Sequence, residues 1–126
     1  MFKAPVARLA RTLLIGRFLA WMLTHMTFAI PVHTLKETPT LVAFYHPAPS
    51  YPVHIVLLPR RHIASLLDLG PQDTPFLADL AACVKDLIEQ LGLEPSGYRL
   101  IANGGAYQDF PRLHFHLVSG EIERNI

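Results

Sequence analysis

The run 112–119, Arg-Leu-His-Phe-His-Leu-Val-Ser, constrains the fold of this chain more than any other stretch. In an extended strand, successive side chains point to opposite faces of the sheet. Leu113, Phe115 and Leu117 then enter a core together, and Arg112, His114 and His116 stand together on the other face. Three potential cations in a row suit a phosphate. Arginine offers a planar fork, and each imidazole can donate or accept a proton near pH 7. An imidazole can also attack phosphorus directly. A solvated strand face is the bland alternative that the pattern alone leaves open.

The strand needs partners, and the chain supplies them. Leu41–Tyr45 is short, apolar and β-prone. A proline-rich loop follows, His46-Pro-Ala-Pro-Ser-Tyr-Pro52, which the prolines hold extended. The unbroken apolar run within 53–58, ended by Pro59, reads as a buried strand with His54, Val56 and Leu58 on one face. One long helix is expected over about 75–91. Asp73 or Thr74 can cap it, Pro75 suits its first turn and Gly92 its end. Phe76, Leu80, Val84, Leu87 and Leu91 give it one apolar stripe, with Cys83 beside it as a small core residue. Strands are expected at 98–102 and 113–118, separated by the turn-forming Asn103-Gly-Gly105. The order β-β-α-β-β argues an α+β fold, an antiparallel sheet of about four to five strands with one long helix.

The chain has 126 residues, enough for one domain, so its N-terminal third must serve that domain or a surface. Residues 6–30 mix Arg8, Arg11 and Arg17 with leucine, phenylalanine, tryptophan and methionine, and Pro31 ends any helix there. The apolar run is shorter than the roughly 20 residues of a membrane span. Arg17 also falls where the apolar core of a secretory signal should begin. The expectation is a helix over 1–31, packed on the domain or a second subunit, with a membrane surface as the competing partner. Residues 32–126 then form the functional domain. Net charge is +1, so no broad field argues for DNA or RNA. A single cysteine fits a reducing, cytoplasmic setting.

Around the histidine strand stand further polar groups. Gly104 and Gly105 can let backbone N–H groups approach an anion, and Asn103 and Gln108 can hydrogen-bond phosphate oxygens. His54 lies on a strand that can neighbour His116. Here the chain resembles a known family. The stretch Asn103-Gly-Gly-Ala-Tyr-Gln108-Asp-Phe-Pro-Arg112-Leu-His114-Phe-His116-Leu-Val-Ser-Gly120 is similar to the His-φ-His-φ-His-φ-φ signature of the histidine triad proteins, where φ is apolar. His54-Ile-Val-Leu-Leu-Pro59-Arg-Arg-His62-Ile63 resembles the family's strand followed by Pro, two basic residues and His. Tyr98-Arg-Leu-Ile-Ala-Asn103 resembles the strand before the signature.

The resemblance implies homodimers in which two five-stranded antiparallel sheets join into one. It also implies binding of a purine nucleotide and attack on its α-phosphate. By position, His114 is the nucleophile that forms a transient nucleotidyl-histidine. His116 orients it, and His54 supports His116. Asn103, Gly105 and Gln108 hold phosphate or leaving-group oxygens. The turn Pro59-Arg60-Arg61-His62 looks closest to the nucleoside phosphoramidase branch, which cleaves P–N bonds. No cofactor is implied.

The chain departs from the pattern at four places. Arg112 replaces the first triad histidine. Asp109 stands where a serine is expected, near phosphate, which it would repel unless it pairs with Arg112. His46 stands where an acidic residue normally grips the ribose hydroxyls. The usual N-terminal hairpin is not evident. Two other readings follow from the same residues. One is a nucleotide-binding module with little turnover, placed by its N-terminal helix. The other is a metal site from His54, His114 and His116, which the adjacent Arg112 disfavours.

Overall fold

The apolar run after Tyr51 becomes the central strand of the sheet, which is why it lacks the alternation of a half-solvated strand. The structure is a computed structural model describing residues 34–122. Its strands are β1 (Thr34–Glu37), β2 (Leu41–Tyr45), β3 (Val53–Pro59), β4 (Arg99–Ile101) and β5 (Phe115–Ser119), with one long helix, α1 (Thr74–Leu91). The sheet order is β1-β2-β3-β5-β4, and every neighbouring pair is antiparallel. This is the α+β architecture expected of the sequence. The helix expected over 1–31 lies outside the described residues. Among the described residues, no helix is long and apolar enough to cross a membrane.

One sheet face packs against α1. Leu41 and Ala43 of β2, Ile55 and Leu57 of β3, and Phe115 and Leu117 of β5 meet Phe76, Leu80, Cys83, Val84 and Leu87. The helical spacing thus found its partner as expected, with Cys83 in the core. Leu91, assigned to the same stripe, is 37% exposed instead, because it sits in the last turn with no further turn to pack its flank. Gly92 ends the helix in the left-handed conformation at φ +64°. Asp73 occupies the N-cap position, but its carboxylate makes no cap bond. It accepts the Gly70 N–H at 3.0 Å and a fork from Arg61 at 2.8–3.0 Å. That pairing holds the Asp73 carboxyl below the usual carboxylate range, through the Arg61 hydrogen bonds first and the Gly70 N–H second.

One strand and several boundaries differ from the expectation, β4 being Arg99–Ile101 where 98–102 was expected. The N-terminal hairpin that the resemblance implies, and that is not evident in the sequence, is formed by β1 and β2. β1 reads Thr-Leu-Lys-Glu, too short and polar to signal a strand, yet it pairs with β2 across a register irregularity. Its charges find partners brought close only by folding: Lys36 with Asp86 and Arg60 with Glu37, each at 2.9 Å. The last strand starts at Phe115, not Leu113, because the Leu113 N–H leaves the ladder to bond the Ile63 carbonyl at 2.7 Å.

The chain leaves β5 through Gly120, at φ +90°. A Cβ there would lie 2.7 Å from Cγ of Pro52, in the loop between β2 and β3. Gly120→Ala is therefore expected to cost about 1–2 kcal/mol, from left-handed backbone plus displacement of that loop. Chemical denaturation with an unchanged m-value would show it.

Candidate active site

Strand register decides which histidines meet. In the β3–β5 ladder His116 stands opposite Val56, and His54 opposite Val118. Directly opposed residues share a face, so His54 and His116 are diagonal neighbours on the face away from α1. His54 Nε2 lies 2.9 Å from His116 Nδ1, with ring centroids 5.0 Å apart. His114, just before β5, sets its ring edge-on to His116 at 4.9 Å and edge-on to Phe110 at 6.2 Å. His46, immediately after β2, packs against His54 at 4.3 Å and stacks on His116 at 6.0 Å. His54 and His114 are buried, and His46 and His116 half-buried.

Backbone partners assign the ring protons. An amide N–H can only donate and a carbonyl can only accept. The Ser50 N–H reaches His54 Nδ1 at 3.0 Å, so a neutral His54 keeps its proton on Nε2 and donates it to His116 Nδ1. His116 therefore carries its own proton on Nε2. Across the site, His114 Nδ1 lies 2.9 Å from the Arg112 carbonyl and must donate to it. The lone pair of His114 is then on Nε2. This arrangement combines one ring with a nucleophilic nitrogen and a neighbour with an N–H.

The proline-rich loop takes part in this assignment. Pro47 and Pro49 have no N–H, while Ala48 and Ser50 between them do. The Ala48 N–H reaches His46 Nδ1 at 2.9 Å, as the Ser50 N–H reaches His54. Neither residue stood out in the sequence, because a backbone amide has no residue-type signal. The alternation of prolines was the available clue.

Burial pushes the imidazoles toward the neutral form. It lowers His116 to about 3, helped by repulsion from His114, His54 and His46. His46 is lowered to about 3 and His54 to about 4, burial again leading. His114 is lowered too, but its bond to the Arg112 carbonyl and the field of Asp109 oppose the shift.

The nitrogens of His46, His54 and His116 lie within 4.8 Å of one another, the spacing of a metal cluster. This trio differs from the His54, His114 and His116 set considered from sequence. Its chemistry does not fit a cation. Ligating histidines usually donate their second N–H to an acceptor. Here His46 and His54 accept backbone N–H bonds at Nδ1, so their remaining nitrogens carry protons instead of lone pairs.

The other candidate residues surround this cluster. The Gln108 amide donates to the carbonyls of Ala64 at 2.7 Å and Phe110 at 3.0 Å. Arg112 Nη2 donates to the carbonyls of Arg60 at 3.1 Å and Pro59 at 3.3 Å. Gly105, at φ +58°, opens the short 3-10 turn Gly105–Tyr107. The Asn103 side-chain amide makes no hydrogen bond among the described residues. Nor does Asp109 form an ion pair with Arg112 among them.

Residues 27–122 match the HIT domain family. This chain belongs to that family. A HIT-like protein of Synechococcus elongatus is 37% identical over 93 residues, 72% of this chain and 81% of the relative. Protein HitA of Neisseria gonorrhoeae is 31% identical over 94 residues, 74% of this chain and 88% of HitA. Among solved structures, a HIT family hydrolase from Legionella pneumophila superposes with a TM-score of 0.69 at 30% identity, covering 82% of this chain and 92% of that one. The residues matched by the family span all five strands and α1.

Proposed function

We propose that this HIT protein hydrolyses or transfers the nucleotidyl group of a purine nucleotide or nucleoside phosphoramidate through a covalent nucleotidyl-histidine on His114. The observation carrying this reading is the pair of assigned tautomers, which leave a lone pair on His114 Nε2 and a proton on His116 Nε2, on rings whose centroids are 4.9 Å apart. In the first step, Nε2 bonds to the α-phosphorus and the P–N or P–O bond to the leaving group breaks. The leaving group takes up a proton from solvent, and the water that later attacks returns one. The modified imidazole keeps its Nδ1–H, and the Arg112 carbonyl stabilises the positive ring by accepting it. Water then attacks phosphorus, the P–N bond to His114 breaks, and a nucleoside monophosphate leaves.

Asn103, with its unengaged amide, and the amides around Gly105 would hold phosphate oxygens. Gln108, its N–H groups committed to the main chain, presents only its carbonyl, which can accept an N–H from an amine leaving group but cannot bond a phosphate oxygen. His46 lines the sugar side, replacing an acidic group with an imidazole. The commitment of the Gln108 and Arg112 donors to carbonyls favours a second reading, a nucleotide-binding module with slow turnover.

A homodimer is part of the proposal. Among the described residues β4 is a sheet edge with unpaired backbone groups on one side. Tyr98 at 43% and Leu100 at 44% exposure line a groove with Val84 and Ile88 of α1. Joining two copies through this edge would bury it. A cytoplasmic, reducing setting suits the single buried thiol of Cys83.

The test is hydrolysis of a fluorogenic adenosine phosphoramidate, with the guanosine analogue alongside. Turnover is expected with at least one. Binding of adenosine monophosphate without turnover would favour the binding module, and neither would end the nucleotide reading.

A further inference from the structure

β3 ends at Pro59, and the carbonyls just beyond it have no strand ladder to join. Three of them, and the carbonyl of Pro59 itself, are met by donors from one short segment that approaches β5. Arg112 Nη2 reaches the carbonyls of Pro59 and Arg60 at 3.3 and 3.1 Å. The Leu113 N–H reaches Ile63 at 2.7 Å, and the Gln108 amide reaches Ala64 at 2.7 Å. These bonds stitch 108–113 onto 59–64 immediately before His114. Arg112 is the odd member. Its Nε is buried with no hydrogen-bond partner among the described residues, and burial lowers the guanidinium's affinity for its proton. An unpaired buried donor is costly, so the geometry must return something for it.

We propose that Arg112 is a positioning residue: its guanidinium clamps the end of β3 so that its own carbonyl stays in place to hold His114 in the nucleophilic tautomer. The proposal rests on His114 as nucleophile and assigns Arg112 to the protein scaffold, not to the phosphate. The guanidinium and the carbonyl belong to one residue, so fixing the side chain at Pro59 and Arg60 also fixes the carbonyl, 2.9 Å from Nδ1. Without the clamp that acceptor drifts. The His114 proton then has less reason to stay on Nδ1, and each molecule with the proton on Nε2 lacks a nucleophile. A misplacement of this kind costs up to about 10²-fold in rate.

The experiment compares wild type with Arg112→Met in three measurements: kcat and KM on the adenosine phosphoramidate, calorimetric affinity for adenosine monophosphate, and ring 15N shifts of His114. The His114 signals are assigned by their loss in His114→Gln. Arg112→Met is expected to lower kcat by about 10–10²-fold and keep monophosphate affinity within about two-fold. The His114 signals should move away from the Nδ1–H tautomer. An unchanged tautomer overturns the proposal, whatever happens to kcat. So does a loss of monophosphate affinity of about ten-fold or more, which would mark a direct phosphate contact. If Arg112→Met does not fold, Arg112→Lys, which keeps the charge but lacks the planar fork, is judged by the same two criteria. Wild type that neither turns over nor binds nucleotide would defeat the function proposed above. The ring shifts would still decide what Arg112 does.

Discussion

His114→Ala is expected to lower kcat/KM on an adenosine phosphoramidate by roughly 10⁴-fold or more, the scale seen when a covalent nucleophile is removed. No neighbouring ring can take over. The Nδ1 lone pair of His116 is engaged by His54, and its other nitrogen carries a proton. The rings of His46 and His54 are held in the same protonated-Nε2 form by Ala48 and Ser50. Binding of adenosine monophosphate should largely survive, since the substitution removes a nucleophile and not a charge. Rapid quench in alkaline denaturant, which preserves a P–N bond to imidazole, followed by mass spectrometry of wild type should find a nucleotidyl adduct on the peptide carrying His114. Activity of the alanine variant within ten-fold of wild type would rule out the covalent route.

The second large effect is acid instability. His46, His54 and His116 are held well below the ordinary imidazole value of 6.5, at about 3, 4 and 3. The folded protein therefore binds fewer protons than the unfolded chain at any pH between those values and 6.5. Stability is complete above the unfolded value and is lost as pH falls through 6.5 toward the folded values. The physical event is specific. Protonating His54 at Nδ1 turns its bond from the Ser50 N–H into a clash of two donors, and it places a charge within 5.0 Å of His116. The loss from pH 7 to pH 5 is expected to be on the order of 3 kcal/mol, or more than about 10 °C in Tm for a domain of this size. Melting curves in matched-ionic-strength buffers would measure it. His54→Gln, uncharged throughout, should have a flatter profile, and an equally steep one would place the acid sensitivity elsewhere.

Residue type and spacing carried much of this protein. The alternation in 112–119 placed Leu113, Phe115 and Leu117 in the core, and the three- and four-residue spacing of Phe76, Leu80, Val84 and Leu87 specified α1 and its buried face. Both are local periodicities, and burial of one face is enough to enforce them. The ordered segments around His54, Asn103 and His114 likewise identified the family, since side-chain chemistry at set intervals is a linear property. Tertiary structure decided the rest. β1 is a strand only because β2 offers a ladder and Asp86 an ion partner to a segment with little preference of its own. The meeting of His46 with His54 and His116 depends on strand register and loop closure, across intervals that no local pattern spans. Where each imidazole proton sits is set by backbone groups of Ser50, Ala48 and Arg112, which look alike in every sequence. The direction of the Arg112 side chain was equally hidden. Its type promised a phosphate ligand, and only the unpaired carbonyls at the end of β3 gave that charge another place to go.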